Sequence, residues 1–187
     1  MKIKVGISNH HLHLKEEDLK KLFGEEHKLE VYKPLKQPGQ FASTSLLDIK
    51  TDKGVIKNVR VLGPVRPYTQ VEISQTDAYK LGINPPVRDS GNLAGASLIT
   101  IIGPTGEISK EAAIIANRHI HVNRKIREDN GLMGVEKVKV KISGEKGGIL
   151  DDVYLKDLDE AYFELHLDTD DANAFLLKND DEVEIIL

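Results

Sequence analysis

The sequence predicts a mainly β protein: two pseudo-symmetric β-barrel domains with short helices. Three observations carry that expectation. Many short segments alternate apolar and polar residues, the period of a strand with one buried face. Turn signals separate them, at 36–39 (KQPG), 52–54 (DKG), 103–106 (GPTG) and 144–148 (GEKGG). One block also recurs, because ISNHHLHL at 7–14 is echoed by ANRHIHV at 116–122. Many strands with short corner helices favour barrels or sandwiches over a doubly wound sheet.

Taken in order, KIKVGIS opens the chain as a strand and leads into His11-Leu12-His13. Lys15–Gly24 (KEEDLKKLFG) follows as a short helix, with Leu19, Leu22 and Phe23 on its apolar side and a glycine stop. VIKNVRVLGP and QVEIS read as strands, and Gln75–Gly82 as a second capped helix. SLITIIGP, KVKVKIS, VYLKDL, YFELHLD and DEVEIIL read as further strands, with Thr169–Leu177 as a helix before the last. The repeat extends through these elements. VEISQTDA (71–78) aligns with LHLDTDDA (165–172), each a strand running into a Thr-Asp helix start, and Glu72 then falls opposite His166. A duplicated domain is the economical reading, with halves at 1–103 and 104–187. The N-terminal strand is a candidate to cross between them.

Bulk properties narrow the function. A chain of 187 residues, 40% hydrophobic and 30% charged, can bury one large core or two small ones. Net charge is −4, so no global basic field exists to attract nucleic acid. Cysteine is absent, which removes disulfides and thiolate metal sites and leaves His, Asp and Glu as ligands. No signal peptide is expected from the opening residues, and no apolar run approaches the roughly 20 residues of a membrane helix. A cytoplasmic protein is expected. The sequence leaves the oligomeric state open, a homodimer being one assembly it allows.

The chemistry lies in the repeat. In a strand, residues i and i+2 face the same side, so His11 and His13 project together, as do His119 and His121. Glu72 lies between Val71 and Ile73, and His166 between Leu165 and Leu167, which turns each away from the core its neighbours enter. Two candidate metal sites follow: His11, His13 and Glu72, and His119, His121 and His166. Three protein ligands with an open position is the catalytic pattern. The third members differ, a carboxylate against an imidazole, which predicts unequal charge at the two ions. A lone HxH is usually surface decoration; its duplication at equivalent positions raises the reading. His10 faces the other way and is left out. His27, in the charged stretch GEEHKLE, is expected to be solvated.

Two further stretches stand out. Arg66 follows a Gly63-Pro64-Val65 turn and precedes Glu72 by six residues. Its guanidinium suits a phosphate or carboxylate, against the commoner fate of a surface ion pair. PVRDSGNLAGAS (86–97) is a polar, glycine-containing loop able to present Ser90 to an anion, although a plain connection is the simpler reading. Neither a Walker motif nor GxGxxG is present.

SNHHLHL, QPGQFA, VRVLGPVRPYTQVEIS, PVRDSGNLAGAS, ANRHIHV and LHLDTDDAN together resemble the PduL-type phosphotransacylases, the phosphate propanoyltransferases. The resemblance runs in order over nearly the whole chain. It implies two β-barrels with two zinc ions between them. It implies transfer of a short acyl group, propanoyl or acetyl, between coenzyme A and inorganic phosphate. The implied zinc ligands are His11, His13 and Glu72, then His119, His121 and His166. Arg66 becomes the phosphate-binding arginine, and Ser90 a residue close to the reaction. Coenzyme A contacts fall at Ile7, Ser8 and Asn9, near Lys53 and Arg60, and at Asn173. The sequence departs from the family at His10, where the family usually carries Arg. The N-terminal extension that directs some members into a bacterial microcompartment is not seen, so a free cytoplasmic enzyme is expected. Acyl-CoA and phosphate are the expected partners, with no nucleic acid and no membrane. A single-metal cupin-like oxygenase or metal-dependent hydrolase, and a binding module with structural histidines, are the competing classes.

Overall fold

The structure, a computed structural model, describes residues 1–159 and 162–187. Its first strands and helix are β1 (Lys2–Ser8), β2 (His11–His13) and α1 (Glu16–Phe23). β3 (Val31–Pro34), β4 (Phe41–Lys50), β5 (Val55–Gly63), β6 (Gln70–Glu72) and α2 (Gln75–Leu81) follow. Next come β7 (Val87–Arg88), β8 (Ser97–Ile102), β9 (Glu107–Ala116), β10 (His119–Val122) and α3 (Arg124–Asp129). β11 (Lys137–Ile142), β12 (Gly148–Asp157), β13 (Glu164–Asp168), α4 (Thr169–Ala174) and β14 (Glu182–Ile186) complete the chain.

These elements form two units, one of residues 1–9 and 117–187, the other of residues 10–116. The first is a closed barrel in the order β1-β13-β10-β12-β11-β14. The second also closes: β4-β5-β2-β6-β9-β8 returns to β4 through the β4–β8 pairing. β3 and β7 lie outside that ring, paired with β4 and β9. Strand senses match around both rings. The HxH strand runs parallel to one neighbour and antiparallel to the other in each, β2 between β5 and β6, β10 between β12 and β13. The third-ligand strands β6 and β13 then run parallel to β9 and β1. The GPTG turn at 103–106 joins β8 to β9 inside the second unit, and the chain returns to the first only after Ala116.

Each barrel fills its own interior. Leu12, Leu14, Leu47, Ile49, Val59, Val61, Val71 and Ile101 pack in the second, closed at one side by Leu19 and Leu22 of α1. Val5, Ile120, Val122, Val140, Val153 and Leu165 pack in the first. Burying a side chain of this size stabilises by roughly 1.5–3 kcal/mol. The corner helices are made locally. Glu16, Glu17 and Asp18 open α1 and Lys20 and Lys21 close it, which suits the helix dipole. In α2, Ser74 and Asp77 form a reciprocal capping box, and Gly82 ends the helix in the left-handed region.

Three elements differ from the sequence expectation. β4 (FASTSLLDIK) carries Ser43 and Ser45 where an inward face should be apolar. Ser43 is fully buried because its hydroxyl donates to the Val61 carbonyl at 2.7 Å. β9 starts with a mostly polar half and ends in a run, Ala112 to Ile115, buried on both faces, so that second half shows no alternation. α3 is a brief helix capped by Asn123, with no buried residue. No helix among the described residues is long and apolar enough to cross a membrane.

Candidate active site

β2 and β6 pair antiparallel so that His11 lies opposite Glu72 and His13 opposite Gln70. Those four side chains share one face, with Leu12 and Val71 on the other, entering the core. His11 Nε2 lies 3.3 Å from Glu72 Oε2, and His13 Nε2 lies 3.8 Å from Glu72 Oε1. The two imidazoles meet edge to face at 5.2 Å. Burial, reinforced by the neighbouring His11, pushes the His13 imidazole down to about 3, against the pull of Glu72. At neutral pH the ring is therefore uncharged, with a lone pair available.

The first unit repeats the arrangement. His119 lies opposite His166 across β10 and β13, as His11 lies opposite Glu72. His119 Nδ1–H donates to the Asn117 carbonyl at 2.8 Å, which leaves Nε2 as the bare nitrogen. That atom stands 3.2 Å from His121 Nε2. Burial, with His119 and His166 alongside, pushes His121 down to about 2.

Both sets fit a divalent ion. In each triad the three donor atoms lie within 4.8 Å of one another. Ligands about 2.0–2.1 Å from a tetrahedral zinc stand about 3.3 Å apart, the spacing of the His119–His121 and His11–Glu72 pairs. Two bare imidazole nitrogens at that distance repel unless a proton or a cation lies between them.

The second triad is less neutral than its ligands suggest. Glu164, buried, places Oε2 3.2 Å from His166 Nε2, and the Tyr162 hydroxyl lies 2.8 Å from the same nitrogen while donating to Glu164. Burial and Glu164 together raise the Tyr162 phenol. A carboxylate therefore stands beside this triad at Glu164, where the first triad carries one inside the set at Glu72. The i, i+2 spacing of Glu164 and His166 on β13 was the signal for it.

Arg66 reaches the first triad through polar contacts. Its Nη1 donates to Tyr68 Oη at 3.0 Å and to Ser90 Oγ at 3.2 Å, and Nη2 donates to Gln40 Oε1 at 3.2 Å. Its backbone N–H is held by the Leu14 carbonyl at 2.8 Å. The 86–97 loop is therefore more than a connection, since it brings Ser90 to Arg66. Gln40, Tyr68 and Gln70 carry no signal of their own in the sequence. Each reads there as an ordinary polar residue of a turn or strand end.

The remaining candidates divide between the units. In the first, Ile7 and Ser8 pair with Leu167 and Asp168 at the β13–α4 corner, Asn9 follows them, and Asn173 lies in α4. Ile7 N–H donates to Asn179 Oδ1. In the second, Arg60 lies opposite His11 across β2 and β5, donates to the Ser43 carbonyl and stacks over Tyr32 at 4.7 Å. Lys53 is exposed in the β4–β5 turn. His10 turns away from the triad and donates to Asp77 in the α2 capping box at 3.0 Å. His27 is a correction. It is half-buried, stacked on Phe23 at 4.3 Å and bonded to Ser45 Oγ, because the chain folds back over the end of α1.

A fold of two like barrels, each with a strand-borne donor triad, places the chain among metal-capable β-barrel proteins. Comparison with known proteins makes the assignment narrower. The sequence model of phosphate propanoyltransferase matches residues 4–178. A phosphate propanoyltransferase from Thermotoga maritima is 51% identical over 184 residues, 97% of this chain and 88% of that protein. One from Rhodopseudomonas palustris is 44% identical over 98% of this chain and 81% of its own length, and one from Levilactobacillus brevis 42% identical over 92% and 83%. The chain belongs to the phosphate propanoyltransferase family, and it is an acyltransferase enzyme.

Proposed function

We propose that the protein interconverts a short-chain acyl-CoA plus phosphate with acyl phosphate plus CoA, the acyl group being propanoyl or acetyl. The observation that carries this is the linked series Arg66–Ser90–Gln70–Glu72, which ties an anion-binding guanidinium to a metal-capable triad. Among the described residues, three of the five guanidinium N–H groups are engaged, leaving Nε–H and one Nη2–H for an anion. Those two donors would hold phosphate and offset its charge.

His11, His13 and Glu72 would hold one zinc ion, and His119, His121 and His166 a second. When bound, zinc supplies a Lewis acid for the thioester carbonyl and a soft partner for the departing thiolate. Phosphate oxygen attacks the thioester carbonyl carbon, the C–S bond breaks, and CoA leaves as thiolate. The chain has no cysteine to form a thioester of its own, and direct transfer needs none. Ser90 would donate to the phosphate or to the oxyanion. Lys53 and Arg60 would meet the phosphate groups of the CoA nucleotide, with Ile7, Ser8, Asn9 and Asn173 as further CoA contacts. Phosphorus NMR of protein with propanoyl-CoA and inorganic phosphate tests the proposal: a new acyl phosphate resonance supports it, and CoA release without one makes the protein a hydrolase instead.

A further inference from the structure

We infer that Gln70 is a positioning residue that aims the Ser90 hydroxyl and the Glu72 carboxylate at once. Gln70 is fully buried on β6, two residues before Glu72 and on the same face. Its amide orientation is fixed by chemistry. Gly91 N–H, which can only donate, lies 2.7 Å from one end, so that end is the carbonyl oxygen. The NH2 end then faces two acceptors, Glu72 Oε1 at 2.6 Å and Ser90 Oγ at 2.9 Å.

The consequence for Ser90 follows from counting lone pairs. A hydroxyl oxygen has two, and here Arg66 Nη1 and Gln70 Nε2 occupy both. Ser90 can then offer its proton only outward, so it acts as a donor and not as an acceptor toward a bound anion. The consequence for Glu72 is parallel. Holding Oε1 by the amide leaves Oε2 as the oxygen that faces His11 Nε2. A fully buried side chain thus sets both the polarity of the anion pocket and the direction of a metal ligand.

This inference rests on the proposed function, and the test separates the two. Gln70→Met keeps the volume and removes the donors. Gln70→Glu keeps an acceptor for Gly91 and leaves at most one donor, a carboxyl proton that can reach only one of Glu72 and Ser90. Circular dichroism and melting establish that each is folded, and Gln70→Glu carries the test if Gln70→Met is not. Zinc affinity by chelator competition is read independently of turnover. Each folded variant should bind one of two zinc equivalents about 10–100-fold more weakly and lose about 10–100-fold in kcat, with KM for propanoyl-CoA unchanged. At saturating zinc, where the weakened Glu72 site is filled, the Gln70→Met loss in kcat should largely disappear in a Ser90→Ala background, because the arm that remains acts through Ser90. Wild-type kcat and zinc affinity in folded variants, or losses that simply multiply with Ser90→Ala, would overturn the inference. If the wild type makes no acyl phosphate, the proposed function fails, and the zinc comparison still decides whether Gln70 positions Glu72.

Discussion

Replacing Arg66 with lysine keeps the charge and removes the fork. In the structure the guanidinium is held at three points, by Tyr68, Ser90 and Gln40, with two N–H groups left over among the described residues. An ammonium on a flexible stem cannot keep three such partners and also offer two parallel donors to phosphate. A hydrogen bond involving a charged group contributes about 1.5–3 kcal/mol. Losing one arm of the fork should therefore weaken phosphate binding about 10- to 150-fold. The assay is release of free CoA thiol from propanoyl-CoA at varied phosphate. KM for phosphate should rise by that factor, while KM for propanoyl-CoA and the metal content stay at wild-type values. Unchanged phosphate dependence in Arg66→Lys would refute the assignment of Arg66 as the phosphate anchor.

Other perturbations probe other parts. His119→Ala with His121→Ala should lower the bound metal by one equivalent per chain, measured by elemental analysis; an unchanged metal content would remove the second triad. Asp18, buried, accepts from Thr69 and Lys110, and these bonds outweigh burial to hold its carboxyl below the ordinary range. Asp18→Asn should cost about 1.5–3 kcal/mol, or about 3–12 °C in melting temperature. A lowered carboxyl stabilises above its unfolded pKa, so the gap between wild type and Asp18→Asn should be full at neutral pH and close as pH falls below about 4. A gap that persists unchanged in acid would contradict this. His10→Arg should leave turnover unchanged, since arginine can also donate to Asp77 and His10 faces away from the triad; a large loss would bring position 10 into the site.

Strands with one face buried were legible, because β1, β11 and β14 alternate residue by residue. β4 and β9 were not. Their inward positions hold serine satisfied by backbone in one case and a doubly buried alanine-isoleucine run in the other, so neither shows an apolar period of two along its whole length. The donor triads were legible because the repeat doubles a weak signal and pairs Glu72 with His166 at equivalent positions. The strand register His11–Glu72 and His119–His166 is the physical form of that pairing. What surrounds the triads was hidden. Gln70 reads as a strand glutamine, and only the fold brings Gly91 and Ser90 against it from a loop some twenty residues away. Glu164 lay in plain view on β13, but a strand carboxylate is usually solvated, and its burial depends on the pairing with β1.

The proposed function requires metal at the donor triads and phosphate at Arg66 for acyl exchange. The most direct test is CoA release from propanoyl-CoA by protein stripped with chelator and then titrated with zinc, with and without phosphate. Activity should be lost on stripping, return as two zinc equivalents are restored, and appear only when phosphate is present. Full activity in the stripped protein, or release at the same rate without phosphate, would contradict the account.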